Sequence, residues 1–141
     1  MPTRSASAHW QGNLPQGSGT VSLGSGAFTG QYSFSSRFEE GTGTNPEELL
    51  GAAHAGCFSM AFSKVLDDNG YPPRSIETTA KVKFEKQDAG FTVTRIDLAT
   101  TVAADGIDGD TLTKLAEVAK VNCPISRALN VPEVTVTATL S

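Results

Sequence analysis

The chain has 141 residues, of which 11 are basic and 15 acidic, giving a net charge of −4 and an isoelectric point near 5.1. That length suits one domain with a modest core, read here as residues 1–141, and leaves no room for a separate cofactor-binding domain. The charges are scattered without a basic block, which argues against nucleic acid as a partner, and two cysteines with two histidines and no CxxC pair cannot assemble a four-ligand structural zinc site.

The opening MPTRSASAHWQG has no apolar stretch of signal-peptide length, and no window approaches the roughly 20 apolar residues of a membrane span. A cytoplasmic protein with no membrane partner is the expectation. From Ser7 to Ser36, glycine, serine and threonine alternate with Val21, Leu23, Phe28, Tyr32 and Phe34, which predicts short antiparallel strands joined by glycine turns. Arg37 to Asn45, RFEEGTGTN, has no apolar period and reads as an ordered but irregular loop, a good place for a polar functional group.

A long helix is predicted from Asn45-Pro46. Asn45 caps it, Pro46 takes its first position, and Glu48 stands where a capping-box carboxylate would reach back. The interior, ELLGAAHAGCFSMAFSKVL, is hydrophobic nearly all round and so must be buried. Gly70 followed by Pro72-Pro73 stops it. Such a helix is longer than a chain of this size can cover, so a second subunit is expected over part of it.

Alternation over Ile76–Lys86 and Phe91–Val102 around the turn 87–90 predicts a β-hairpin. A second helix over Asp110–Leu129 is interrupted by Pro124, which puts Cys123 at a kink. Glu133–Leu140 alternates again and closes a sheet. The class is α+β.

In a reducing cytoplasm two cysteines are either unrelated buried thiols or a redox couple. A reactive cysteine needs its thiolate, and an unperturbed thiol with a pKa of about 8.5 is only a few per cent ionised at neutral pH. One cation at about 4 Å supplies about 4 kcal/mol at an effective dielectric near 20, enough to reverse that. Arg37 is the best-placed candidate, and a bidentate pair with Glu47 would orient its guanidinium. Glu47 and Cys57 stand ten residues apart on one helix, about 15 Å along its axis, too far for one shared site. A partner subunit is therefore expected to contribute Glu47. His54, three positions before Cys57, leaves open a Cys–His nucleophile pair, a metal half-site or a packed core histidine.

The segment GTNPEELLGAAHAGCFSMAFS, Gly43 to Ser63, together with AHWQG at Ala8–Gly12, SRFEEGTGTNPEE and NCPIS at Asn122–Ser126, resembles the osmotically inducible protein C and organic hydroperoxide resistance family over essentially the whole chain. Arg37, just upstream of GTNPEE, looks like the osmotically inducible branch. The resemblance implies antiparallel sheets around a long central buried helix and a second kinked helix, in an intertwined homodimer with two interfacial sites. It implies Cys57 as peroxidatic thiol, Cys123 as resolving thiol, and Arg37 with Glu47 as the activating pair. The implied activity is reduction of organic hydroperoxides in oxidative or osmotic stress, with no metal or cofactor and with recycling by a dithiol, a lipoyl group in the related branch. Phe38, Leu50, Phe58, Met60 and Ile125 are the apolar neighbours expected to line a pocket for an alkyl or aryl tail. The rival readings are a non-enzymatic redox-responsive or ligand-binding protein of the same fold, and a Cys57–His54 hydrolase.

Overall fold

The computed structural model describes all 141 residues, which divide into two compact units, Met1–Leu49 and Leu50–Ser141. In the first unit, β1 (Ala6–Gln11), β2 (Ser18–Leu23) and β3 (Thr29–Tyr32) form an antiparallel meander in the order β1-β2-β3. Trp10 and Tyr32 pack across it with ring centroids 5.2 Å apart. Gly19 lies between them, and a Cβ there would come within 2.7 Å of the Tyr32 ring and 2.8 Å of the Trp10 ring, so the aromatic clasp requires glycine.

Arg37 and Phe38 were expected in a loop, but they end a one-turn helix, α1 (Phe34–Phe38). The reason is local: Ser33 and Ser36 close a reciprocal capping box, at 3.2 Å for Ser36 N–H on Ser33 Oγ and 2.8 Å for Ser33 N–H on Ser36 Oγ. Ser36 Oγ also donates to Thr44 O at 2.7 Å, tying the irregular segment that follows back to this turn. In this unit only Gly19, Ser36 and Thr44 are buried, so it has no apolar core of its own.

Helix α2 (Pro46–Asp68) starts at the end of the first unit and runs into the second. Asn45 Oδ1 accepts the Glu48 N–H at 2.7 Å, while the Glu48 carboxylate takes the Thr44 hydroxyl at 3.0 Å instead of reaching back to the cap. At the other end Tyr71 N–H bonds Leu66 O and Gly70 N–H bonds Asp67 O, a Schellman closure that needs the positive φ of Gly70, 87°. By length and composition α2 is apolar enough to cross a membrane, contrary to the residue-by-residue reading, because glycine, alanine and serine dilute its hydropathy less than charges would. Burial in the chain is one-sided: Gly51, His54, Phe58, Phe62, Val65 and Leu66 are covered, whereas Ala52, Ala53, Gly56 and Met60 are exposed.

In the second unit β4 (Ser75–Gln87) and β5 (Gly90–Ala103) form the expected hairpin, with a bulge at Lys83/Phe84. Helix α3 (Gly109–Asn122), capped by Asp108 on Thr111 N–H at 2.7 Å, leads through α4 (Pro124–Ala128) to β6 (Glu133–Leu140). That helical crossover lets β6 pair parallel to β5, with Ile96 opposite Val134, so the sheet β4-β5-β6 is mixed. Ile76, Ala80, Val82, Ile96, Leu98, Val102, Val134 and Val136 belong to the core cluster with α2 and α3. The alternate positions carry polar groups: Arg95 bonds Asp97 at 2.7 Å and Glu133 at 2.8 Å.

Candidate active site

Pro124 breaks the second helical segment as expected. Cys123, at φ −64° and ψ 119°, caps both α3 and α4, donating its N–H to Ala119 O at 2.9 Å. The break turns its side chain inward, and Cys123 is fully buried. Cys57, near the middle of α2, is half-buried, and both cysteines are free. The two thiols stand near enough for each to shift the other's titration.

That proximity bears on how the pair titrates. Burial pushes the Cys57 thiol up, the Cys123 sulfur adds to that, and the backbone N–H of Ile125 works the other way. The Cys123 thiol is held down against its own burial by the Ser126 N–H, by the Cys57 thiol, by the Ser126 hydroxyl and by the Ile125 N–H.

Cys57 opens on an apolar groove of about 770 Å³. Its walls are Met60, Ala61 and Val65 from α2 and Pro124 and Ile125 from α4, with Lys64, Asp68 and Asn122 at polar positions. Met60 and Ile125 are thus brought to the groove with Cys57. Phe58 is not: it is fully buried and packs on Phe62 at 5.4 Å in the core, because it lies on the helix face turned to the sheet. Leu50 also packs against the core cluster and is not part of the groove wall. Ala61, Lys64 and Val65 were missed, although the spacing i+3, i+4, i+7 and i+8 from Cys57 along a helix was a signal for this face.

Arg37 and Glu47 meet within the first unit. Arg37 Nη2 donates to Glu47 Oε1 at 2.8 Å, and Nε lies 3.2 Å and 3.3 Å from the two carboxylate oxygens. Glu47 is nearly covered, Arg37 about one-third exposed, and the Phe38 ring centroid sits 5.4 Å from the guanidinium carbon. The fork fixes the guanidinium plane against the carboxylate and leaves the opposite edge of the group unengaged by Glu47. His54 is fully buried, with Nε2 2.6 Å from Ser126 Oγ, and is absent from the groups that set the Cys57 titration.

A family model described as "OsmC-like protein" matches residues 39–139. The chain belongs to the OsmC-like family. It is 52% identical over 123 residues to Peroxiredoxin OsmC of Escherichia coli (strain K12), a match covering 86% of each chain. It is 32% identical over 88 residues to Organic hydroperoxide resistance protein OhrB of Bacillus subtilis (strain 168), covering 62% of each. The crystal structure of that OhrB superposes with a TM-score of 0.70 at 24% identity over 97% of this chain and 98% of the other, which shows the shared OsmC-like fold. The expected α+β fold with its long helix and second, broken helix is thus the fold of this family.

Proposed function

We propose that this OsmC-like protein is a two-cysteine thiol peroxidase that reduces organic hydroperoxides to alcohols. The observation that carries the reading is a pair of neighbouring free thiols with one member, Cys57, open to an apolar groove. The names of its relatives, a peroxiredoxin and an organic hydroperoxide resistance protein, support the same chemistry.

Exposure assigns the roles. A peroxide reaches the half-buried Cys57 but not the fully buried Cys123. Cys57 thiolate attacks one peroxide oxygen, the O–O bond breaks, and the leaving alkoxide takes a proton to become the alcohol, leaving a Cys57 sulfenic acid. Cys123 then attacks that sulfur, closing a disulfide and expelling water.

The Cys57 thiol is held up in the single chain, so the attack requires a cation that the Leu50–Ser141 unit does not supply to it. Arg37, oriented by Glu47, is that cation, and the partner subunit of a homodimer delivers it. Two features support a dimer: the exposed Ala52, Ala53, Gly56 and Met60 face of α2, and a first unit without an apolar core. Residues 1–141 then act as one domain within the pair. Met60 and Ile125 hold the apolar tail of the substrate, a dithiol, with a lipoyl group as the first candidate, reopens the disulfide, and the reaction runs in the cytoplasm under oxidative or osmotic stress without metal or cofactor.

The test is titration of the reduced protein with cumene hydroperoxide, with thiol counting and intact mass. Wild type should lose both thiols and about 2 Da as two hydrogens leave, Cys123→Ser should stop at a trappable sulfenic acid, and Cys57→Ser should not react. Thiols that persist beside unreacted peroxide would overturn the proposal and favour a non-enzymatic role. Cleavage of an ester probe that needs Cys57 but not Cys123, with the peroxide left unreduced, would point to a hydrolase-type thiol instead.

A further inference from the structure

Beside the thiol pair lies a polar group that the peroxidase reading does not use. His54 is fully buried on α2, its Nε2 is 2.6 Å from Ser126 Oγ, and its Nδ1 has no hydrogen-bond partner. Ser126 stands three residues after Cys123, in the single turn of α4 that Cys123 caps, and its hydroxyl favours the Cys123 thiolate. The three side chains form a file from His54 through Ser126 to Cys123.

The direction of the hydrogen bonds follows from the orphaned nitrogen. Were Nε2 the acceptor, the ring proton would sit on Nδ1 as a buried N–H with nothing to receive it, which is the costlier and rarer omission. The network therefore assigns the proton to Nε2, which donates to Ser126 Oγ. The Ser126 hydroxyl proton is then left to point at the Cys123 sulfur. Burial lowers the His54 pKa, so the ring stays neutral and serves as a donor rather than as a sink for the thiol proton.

We infer that Ser126 is a catalytic hydrogen-bond donor to Cys123 during disulfide closure, and that His54 is the positioning residue that aims it. The inference rests on the peroxidase reading and concerns its second step alone. In that step the Cys123–Cys57 S–S bond forms, the S–O bond of the Cys57 sulfenic acid breaks, and the departing hydroxide leaves as water with the proton released by the Cys123 thiol. No further oxidant enters, since the sulfenic sulfur accepts the two electrons that the Cys123 sulfur shares. The donated hydrogen bond holds the fully buried Cys123 sulfur as thiolate at the moment of attack.

The experiment is single-turnover reaction of the reduced full-length protein with cumene hydroperoxide, resolving sulfenic-acid formation at Cys57 from disulfide closure by timed trapping with dimedone and mass spectrometry. Ser126→Ala should slow closure about tenfold relative to the first phase, the effect of one hydrogen bond to a charged group. Ser126→Thr, which keeps the hydroxyl, should restore closure to within about threefold. His54→Leu should slow closure like Ser126→Ala, and the double variant should be no slower than either, because the two residues act in series. Closure at the wild-type rate in Ser126→Ala would overturn the inference, and so would a slowed Ser126→Ala that threonine does not rescue. If His54→Leu does not fold, the alanine and threonine pair still decides. Absence of a sulfenic acid in wild type would instead overturn the peroxidase reading itself, so the two failures are told apart.

Discussion

Separating Arg37 and Cys57 onto different subunits gives a quantitative test of the site. Glu47 and Cys57 lie ten residues apart on α2, which the helical rise makes about 15 Å, and Arg37 is clamped to Glu47 at 2.8 Å. A guanidinium 15 Å from a thiolate contributes about 1 kcal/mol at an effective dielectric of 20, against about 4 kcal/mol at 4 Å. Arg37→Ala in a homodimer removes the cation at 4 Å altogether, about 4 kcal/mol or up to about a thousandfold in thiolate population, which bounds the expected loss of kcat/KM near neutral pH. Activity should return as pH rises, since the Cys57 thiol is pushed up and ionises without help only in alkali. The decisive species is a doubly tagged heterodimer of one Arg37→Ala chain and one Cys57→Ser chain. If Arg37 serves the opposite subunit, one of its two sites pairs an intact Arg37 with an intact Cys57, and peroxidase turnover should reach about half that of wild type. If Arg37 serves its own chain, neither site is intact and turnover should stay at the level of the Arg37→Ala homodimer. That second result would refute the argument from helix length.

Three further outcomes follow from where Phe58, Met60 and His54 sit. Phe58→Ala should cost about 3–5 kcal/mol by chemical denaturation, as a buried phenylalanine that packs on Phe62, while the preference for bulky over small hydroperoxides is retained. Met60→Ala should behave the other way, raising KM for cumene hydroperoxide more than for tert-butyl hydroperoxide, because Met60 lines the groove; equal KM changes for both would remove it from the tail site. Burial lowers the His54 pKa, so below the ordinary histidine range the unfolded chain binds a proton that the folded one refuses, and stability falls as pH drops through about 6.5. The difference in Tm between wild type and His54→Gln should therefore shrink on acidification from pH 7 to pH 5, and a constant difference would exclude this linkage.

Much of this was legible in order along the chain. The Asn45 cap, the Gly70 stop, the hairpin turn before Gly90 and the proline break after Cys123 are local signals, each set by a residue that its neighbours cannot replace. The local signal at Ser33 and Ser36 was equally present but hidden by the lack of an apolar period, so Arg37 was read as loop rather than as the end of a turn of helix. Phe58 was misplaced for a different reason. It adjoins Cys57 in sequence, but neighbours on a helix point about 100° apart, so the groove continues from Cys57 to Met60 and Ala61 and skips Phe58.

The titration of the thiols was beyond reach of the sequence altogether. Residue types singled out Cys57 as the thiolate, and only the fold shows that burial raises its thiol while the groups at the start of α4 favour a thiolate at Cys123. The sequence by itself determined the element order, the family and the two cysteines, because helix caps, strand alternation and short motifs depend on neighbours within a few residues. Only the tertiary structure decided that β6 runs parallel to β5, which face of α2 the groove takes, and that His54 reaches Ser126 rather than Cys57. Those outcomes are contacts between segments distant in the chain, and a thiol's charge depends on the few ångströms of dipoles around it, which no local pattern of residues encodes.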